Sequence, residues 1–287
     1  MTLAAPLAQS LAPPGDRISA QNFDKLAHYI YTYAGIKMPP SKRTMLEGRL
    51  RRRQRAVGVE SLDDYCAYFF AANNIEREGE YLINAVTTNK TDFFREPQHF
   101  EYLRQVALPQ LTARGSQPLR AWSVACSTGP EPYTIAMVID DFAAGRFGPS
   151  YSILATDLDT DVLEIARAGI YPAEIAEPIP PVLRRKYVMG SRDPARSEVR
   201  IVPALRRNIG FARLNLMDDH YPVGEAMDLI FCRNVLIYFD RETQLRVVSQ
   251  IVDKLAPGGL LFLGHSESIA GHDLPIVQVA NTIFKRS

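Results

Sequence analysis

Residues 120–142, RAWSVACSTGPEPYTIAMVIDDF, and residues 150–159, SYSILATDLD, decide how this chain is read. An apolar strand over Leu119–Val124 enters a turn of small residues, Ala125-Cys126-Ser127-Thr128-Gly129. The spacing predicts a helix next, with Pro130 in its first turn, where a missing N–H leaves no bond unmade. Tyr133, Ile135, Ala136, Val138 and Ile139 form its apolar face. A second strand, Ile153–Thr156, ends in Asp157. Strand, small-residue turn, helix, strand ending in an acid is how a parallel α/β sheet holds a nucleoside. The turn admits the ligand to the backbone, and the acid accepts from ribose hydroxyls. The competing reading makes Asp157 or Asp159 the N-cap of a helix over Asp161–Ala168.

Gly129 is the only glycine of the turn, so this is not the G-x-G-x-x-G of a pyrophosphate site. A nucleoside ligand without a diphosphate fits better, and S-adenosylmethionine is one. The 287 residues allow one large domain or two ordinary ones, and 46% apolar residues allow a substantial core. No run reaches the roughly 18 apolar residues of a membrane span. Residues 1–17 are Pro-rich, lack a basic n-region and read as a disordered tail. Cys66, Cys126 and Cys232 lack metal-ligand spacing, so we expect no metal and a reduced, cytoplasmic setting. Nothing suggests an obligate oligomer, and a monomer is expected.

Outward from the organising stretch, residues 18–86 read as a small helical domain. Ser19 caps a helix over Ala20–Ala34 that buries Phe23, Leu26, Ile30 and Tyr33, and Gly35 ends it. A helix over Ser41–Val57 carries Lys42, Arg43, Arg49, Arg51, Arg52, Arg53 and Arg55 with only Glu47 inside it. That excess suits an acidic partner. No aromatics interleave as a nucleic-acid stacking platform requires. Helices Leu62–Ala72 and Ile75–Val86 complete the unit. Residues 87–97 read as a junction whose Phe93 and Phe94 must pack on something. Residues 98–287 form the sheet domain, with a β-hairpin insertion at about 182–208 built on Tyr187–Met189 and Val199–Val202. The sheet resumes at Ile209–Leu214 and Met227–Cys232. A helix over Glu242–Leu255, a turn at Ala256–Gly259, strand Leu260–Gly264 and a last strand Val277–Lys285 follow.

The strings NKTDFFRE (89–96), WSVACSTGPEPYTIA (122–136), ATDLD (155–159), FCRNVLIYFD (231–240) and PGGLLFLGHSE (257–267) together resemble one family. It is the CheR-type chemotaxis receptor methyltransferases, which esterify chemoreceptor glutamates with S-adenosylmethionine. The resemblance covers nearly everything after residue 17. It implies a small all-helical N-terminal domain and a Rossmann-like class I methyltransferase domain with an inserted β-subdomain. It further implies that Asp157 binds the ribose, that Glu131 holds the methionine ammonium group or orients the turn, and that Ala125 makes a backbone contact. Asn89, Thr91 and Arg95 would reach over the cofactor, Asn215 and Leu216 flank the adenine, and Arg233 and Asn234 lie under the methionine portion. Arg95 would pin the substrate carboxylate and Tyr238 would line the methyl path. Lys42, Arg49 and Arg55 match positions that dock on the receptor's acidic methylation helices.

Two departures stand out. Pro130 replaces the first glutamate of the family's EEPY string, a change that a helix's first turn tolerates. The turn Gly190–Glu198 lacks the glycine-rich look of members that bind a receptor C-terminal pentapeptide by strand addition, which puts that tether in question. A nucleic-acid methyltransferase would carry an Asn/Asp-Pro-Pro-aromatic string where Asn234-Val235-Leu236-Ile237 stands. His265, Ser266 and Glu267 are consecutive and cannot converge as a triad.

Overall fold

A computed structural model describes residues 16–115, 118–144, 148–269 and 274–287. The expected tail lies outside them except for its last two residues. The chain divides into two compact units, 16–32 with 38–86, and 33–37 with 87–287.

The smaller unit is helical. It holds most of α1 (Ala20–Ala34), then α2 (Arg43–Val57), α3 (Leu62–Phe70) and α4 (Asn74–Val86). Ser19 caps α1 as expected, its Oγ accepting from Asn22 N at 3.3 Å. Phe23, Leu26, Ile30, Leu46, Leu50, Tyr65 and Phe69 are buried together. Tyr33 is not in that core; it is half-buried and belongs with the larger unit. The basic helix is also less free than its sequence implies, because counter-charges beyond its own Glu47, which pairs with Arg43 at 3.5 Å, come from outside it. Arg53 grips Glu78 of α4 with two bonds of 2.7 and 2.8 Å, and Arg51 pairs with Asp16 at 3.6 Å. Arg43 donates to Ile18 O and Arg49 to Val86 O.

The larger unit opens with α5 (Pro97–Tyr102) and α6 (Leu108–Ala113), joined by one π-helical turn. Its sheet contains β1 (Leu119–Val124) and β2 (Tyr151–Asp157), with α7 (Pro130–Ala144) between them. After α8 (Thr160–Ala168) comes a small antiparallel sheet of β3 (Ile170–Pro172), β4 (Val188–Gly190) and β5 (Glu198–Ile201). Short helices α9 (Pro181–Tyr187) and α10 (Pro203–Arg206) flank its later strands. The main sheet resumes with β6 (Ile209–Arg213) and β7 (Met227–Cys232), then α11 (Arg241–Asp253), β8 (Leu255–Leu263), β9 (Ile276–Ala280) and β10 (Ile283–Arg286).

Strand order in the seven-stranded sheet is β6-β2-β1-β7-β8-β10-β9, parallel from β6 through β8. The order reverses between β1 and β7, and in such sheets ligands bind outside the strand C-termini at that switch point. Strands buried on both faces read as continuous apolar runs, and Leu229–Cys232 is such a run, wholly buried. Phe231 stacks on Phe262 at 4.2 Å on one face, while Trp122 packs edge-on against Tyr221 on the other. α7 is buried from Pro132 to Ile139 rather than along one face. That is how helices between a sheet and a second layer read.

Three expectations change. The inserted sheet has a third strand, β3, which begins before residue 182 and which the Pro-rich sequence around it conceals. The turn at 256–259 is a bulge inside β8, between the pairs Met227↔Leu255 and Leu229↔Leu260. The single final strand is a hairpin, reversed at Asn281-Thr282 with Thr282 at φ 53°.

Candidate cofactor and active site

The turn after β1 alternates into left-handed backbone at Ala125 (φ 53°), Ser127 (φ 52°) and Gly129 (φ 99°). Such conformations in non-glycine residues persist only where surroundings impose them. Here the acid at the tip of β2 imposes one of them: Ser127 N donates to Asp157 Oδ2 at 2.8 Å, and Asp159 N donates to Oδ1 at 3.0 Å. Burial still pushes Asp157 up to about 6. Gly129 has no room for a side chain. A Cβ there would sit 2.9 Å from both Ala166 Cβ and the Tyr171 hydroxyl, which donates to Thr128 O. Pro130 is the first residue of α7, as its sequence position predicts.

Asp159, not Asp157, caps α8: its Oδ1 accepts from Asp161 N and Val162 N. Its Oδ2 accepts from Thr87 Oγ1 and Asn89 Nδ2, both at 2.7 Å. Ser127 Oγ donates to Asn89 O at 2.9 Å, so the junction is stitched to the two strand tips. Phe93 lies edge-on to Tyr171 and Phe94 to Phe100, which gives both phenylalanines their reason. Thr91 and Arg95 are half-buried, and Arg95 Nη1 donates to Lys90 O at 2.9 Å.

Arg233, at the tip of β7 and 6% exposed, is the hub of a charge network. Its Nη2 donates to Arg95 O at 2.6 Å and its Nη1 meets His99 Nδ1 at 3.3 Å. Its Nε lies 3.2 Å from Glu131 Oε2 and 3.9 Å from Glu96 Oε2. Glu131 Oε1 accepts from Ser123 Oγ at 2.7 Å. Burial raises Glu131 despite Arg233, whereas for Glu96 the opposing pull of Arg233, Asn234 and His265 outweighs burial and holds it low. Burial and Arg233 push His99 down to about 4, so it is neutral at pH 7. Glu96, His99 and His265 bring three potential metal-ligand atoms within 4.8 Å of one another. Arg233 Nη1 lies against His99 Nδ1, the nitrogen that also faces Glu96, and adds positive charge to that space.

Asn215 and Leu216 follow β6 and are each 8% exposed. Asn215 Nδ2 donates to Tyr33 O at 2.6 Å and its Oδ1 accepts from Met217 N, so its side chain shapes the local backbone. Asn234 is left-handed (φ 59°), with Nδ2 donating to Glu96 Oε1 at 3.2 Å. Tyr238 is half-buried, ends a short 3₁₀ turn (Leu236–Tyr238), and its carbonyl accepts from Lys37 N. Asp157, Ala125, Glu131, Asn89, Thr91, Arg95, Arg233 and Asn234 thus belong to the C-terminal side of the sheet or the junction stitched to it. Of the docking residues in the helical unit, Lys42 and Arg49 are half-buried and Arg55 is exposed. The sequence offers Asp159 only as a helix cap and gives Glu96, His99 and Glu267 no place in the site. Their strings were visible, but only the fold shows what their carboxylates and ring face.

Family models match both parts of the chain. "CheR methyltransferase, SAM binding domain" covers residues 89–284, and "CheR methyltransferase, all-alpha domain" covers 21–87. The chain belongs to the CheR methyltransferase family. Chemotaxis protein methyltransferase 2 of Pseudomonas aeruginosa is 38% identical over 92% of each chain. The chemotaxis protein methyltransferase of Escherichia coli is 40% identical over 94% of this chain and 92% of its own. That of Salmonella typhimurium is 40% identical over 88% and 85%. The chain is therefore an S-adenosylmethionine-dependent methyltransferase of the chemotaxis CheR type. Its donor set suits that cofactor. Glu96 Oε2 and Arg233 Nε are buried without a hydrogen-bond partner among the described residues. Two carboxylates around one guanidinium suit a group that carries an ammonium beside a carboxylate, and Asp157 suits hydroxyls. Among the described residues no helix is long and apolar enough to cross a membrane.

Proposed function

We propose that this CheR-family methyltransferase esterifies glutamate side chains on the methylation helices of methyl-accepting chemoreceptors. The observation that carries the reading is the match along nearly the whole chain to enzymes named chemotaxis protein methyltransferases. Bound S-adenosylmethionine supplies a methyl group on a sulfonium, ready for displacement. The acceptor carboxylate is ionised at neutral pH, so the chain need provide no strong general base. Its task is alignment, and orientation alone can lower such a barrier by several kcal/mol. Asp157 accepts from the ribose, Asn89 and Thr91 close over the nucleoside, Ala125 offers its backbone, and Asn215 and Leu216 flank the adenine. Glu131, Arg233 and Asn234 hold the methionine end. Arg95 spends one donor on Lys90 O and keeps others for the acceptor carboxylate. Tyr238 lines the methyl path.

Lys42, Arg49 and Arg55 meet the acidic receptor surface, with Arg55 the most exposed of the three. The test is methyl transfer from labelled S-adenosylmethionine to membranes carrying the host's own receptors. Label released as methanol in mild alkali is the expected result, lost in Arg95→Ala. Alkali-stable label, or full transfer by Arg95→Ala, would overturn the acceptor chemistry or the role of Arg95 respectively.

A further inference from the structure

The string Gly264-His265-Ser266-Glu267 fails as a triad, yet Glu267 is 6% exposed and ionisable. Its carboxylate accepts from four backbone amides: Asn234 N at 2.9 Å and Gly264 N at 2.7 Å on Oε2, Val235 N at 2.8 Å and Leu236 N at 2.7 Å on Oε1. Both strand tips are drawn to one side chain. Asn234 is held left-handed at φ 59°, and the two Oε1 bonds cap the turn that ends in Tyr238. Gly264 has no room for a Cβ, which would lie 2.7 Å from Asn234 Nδ2 and 2.8 Å from Glu267 Oε2. Glu96 of the junction reads the same two loops, its Oε1 accepting from Asn234 Nδ2 and from His265 N at 3.3 Å.

We propose that Glu267 is a positioning residue for methyl transfer: through four amide bonds it sets the backbone of Asn234–Leu236, and with it the aim of Arg233, Asn234 and Tyr238. The proposal rests on the reading above that these three residues face the cofactor and acceptor. Only an ionised carboxylate fills the role. A glutamine of the same shape accepts at its oxygen, but its NH2 confronts two N–H donors and must push one loop away. The residue touches neither reactant; it acts through the loop, where small misplacement is amplified in rate.

The test uses the full chain with Glu267→Gln, Glu267→Asp and the neighbouring Ser266→Ala, titrated with S-adenosylhomocysteine by calorimetry and assayed on receptor membranes. Glu267→Gln is expected to weaken affinity by about tenfold or more at undiminished stoichiometry and to lower kcat as well. Glu267→Asp should fall between it and the unaltered protein, and Ser266→Ala should match the unaltered protein. A loss carried wholly by stoichiometry, with affinity within about twofold, overturns the proposal, because misfolding rather than misplacement then explains it. Absence of a cooperative melt in both Glu267 variants overturns it likewise. If the unaltered protein binds the product but esterifies no receptor, the acceptor reading fails while the affinity comparison still decides the role of Glu267.

Discussion

The basic helix of the smaller unit and the strand tips of the larger one use charge in opposite ways. In α2, cations are the surplus, and the unit absorbs most of them: Arg53 into Glu78, Arg51 into Asp16, Arg43 and Arg49 into carbonyls. What is left over points outward. At the strand tips acids are the surplus, and they are buried. Asp157, Asp159 and Glu267 all take backbone amides, and Ser127 and Asn234, two of the residues donating to them, sit in left-handed backbone. A surface can leave charge to solvent. Buried acids must be satisfied by the chain itself, and here two of the donating residues are left-handed.

Arg233→Ala should disturb the strand tips most. It removes the guanidinium between Glu96 and Glu131 and leaves two carboxylates, each with a side chain only 12% exposed, without their cation, a loss of about 3 kcal/mol in urea unfolding. A loss under about 1 kcal/mol would mean the network is solvated like a surface. The pair Arg53→Ala and Arg55→Ala sharpens the other half of the comparison. Arg53→Ala strands Glu78, whose side chain is 4% exposed, at about 2 kcal/mol because Arg53 itself is partly solvated. Arg55→Ala should leave stability within about 0.5 kcal/mol while lowering receptor methylation. Equal stabilities, or unchanged methylation in Arg55→Ala, would erase the distinction between absorbed and outward charge. Asp159→Ala loses the α8 cap and the junction bonds together, about 1–2 kcal/mol by thermal melting.

The smallest effect is on pH. Asp157 titrates at about 6 when folded against about 3.9 unfolded, so the folded chain holds its proton longer and this group's contribution to stability falls as pH rises from roughly 4 to 6. Its hydroxyl-accepting form is lost in the other direction, as pH falls through 6. Affinity for S-adenosylhomocysteine should drop several-fold between pH 7.5 and about 5 in the unaltered protein. Asp157→Asn should bind more weakly but lose that slope; an unaltered slope would remove Asp157 from the site.

The local elements were legible where one pattern had one meaning. Leu119–Val124 and Met227–Cys232 carry the strand boundaries that composition predicts, and Ala20–Ala34 the helix boundaries, because apolar periodicity and flanking Gly or Ser speak together. Residues 277–285 misled because a tight reversal at Asn281-Thr282 needs no glycine or proline. The three residues of β3 are too few to show a period and gain their pairing only from β5.

By itself the sequence determined the parallel nucleoside-binding sheet, the helical unit before it and the family, since all three rest on local strings whose chemistry travels with them. Only the tertiary structure decided which groups each acid at the strand tips meets. A carboxylate's role depends on the amides and guanidiniums brought to it from elsewhere in the chain. Asp159 meets Asn89 and Glu267 meets Asn234, 70 and 33 residues away. No reading along the chain measures that distance.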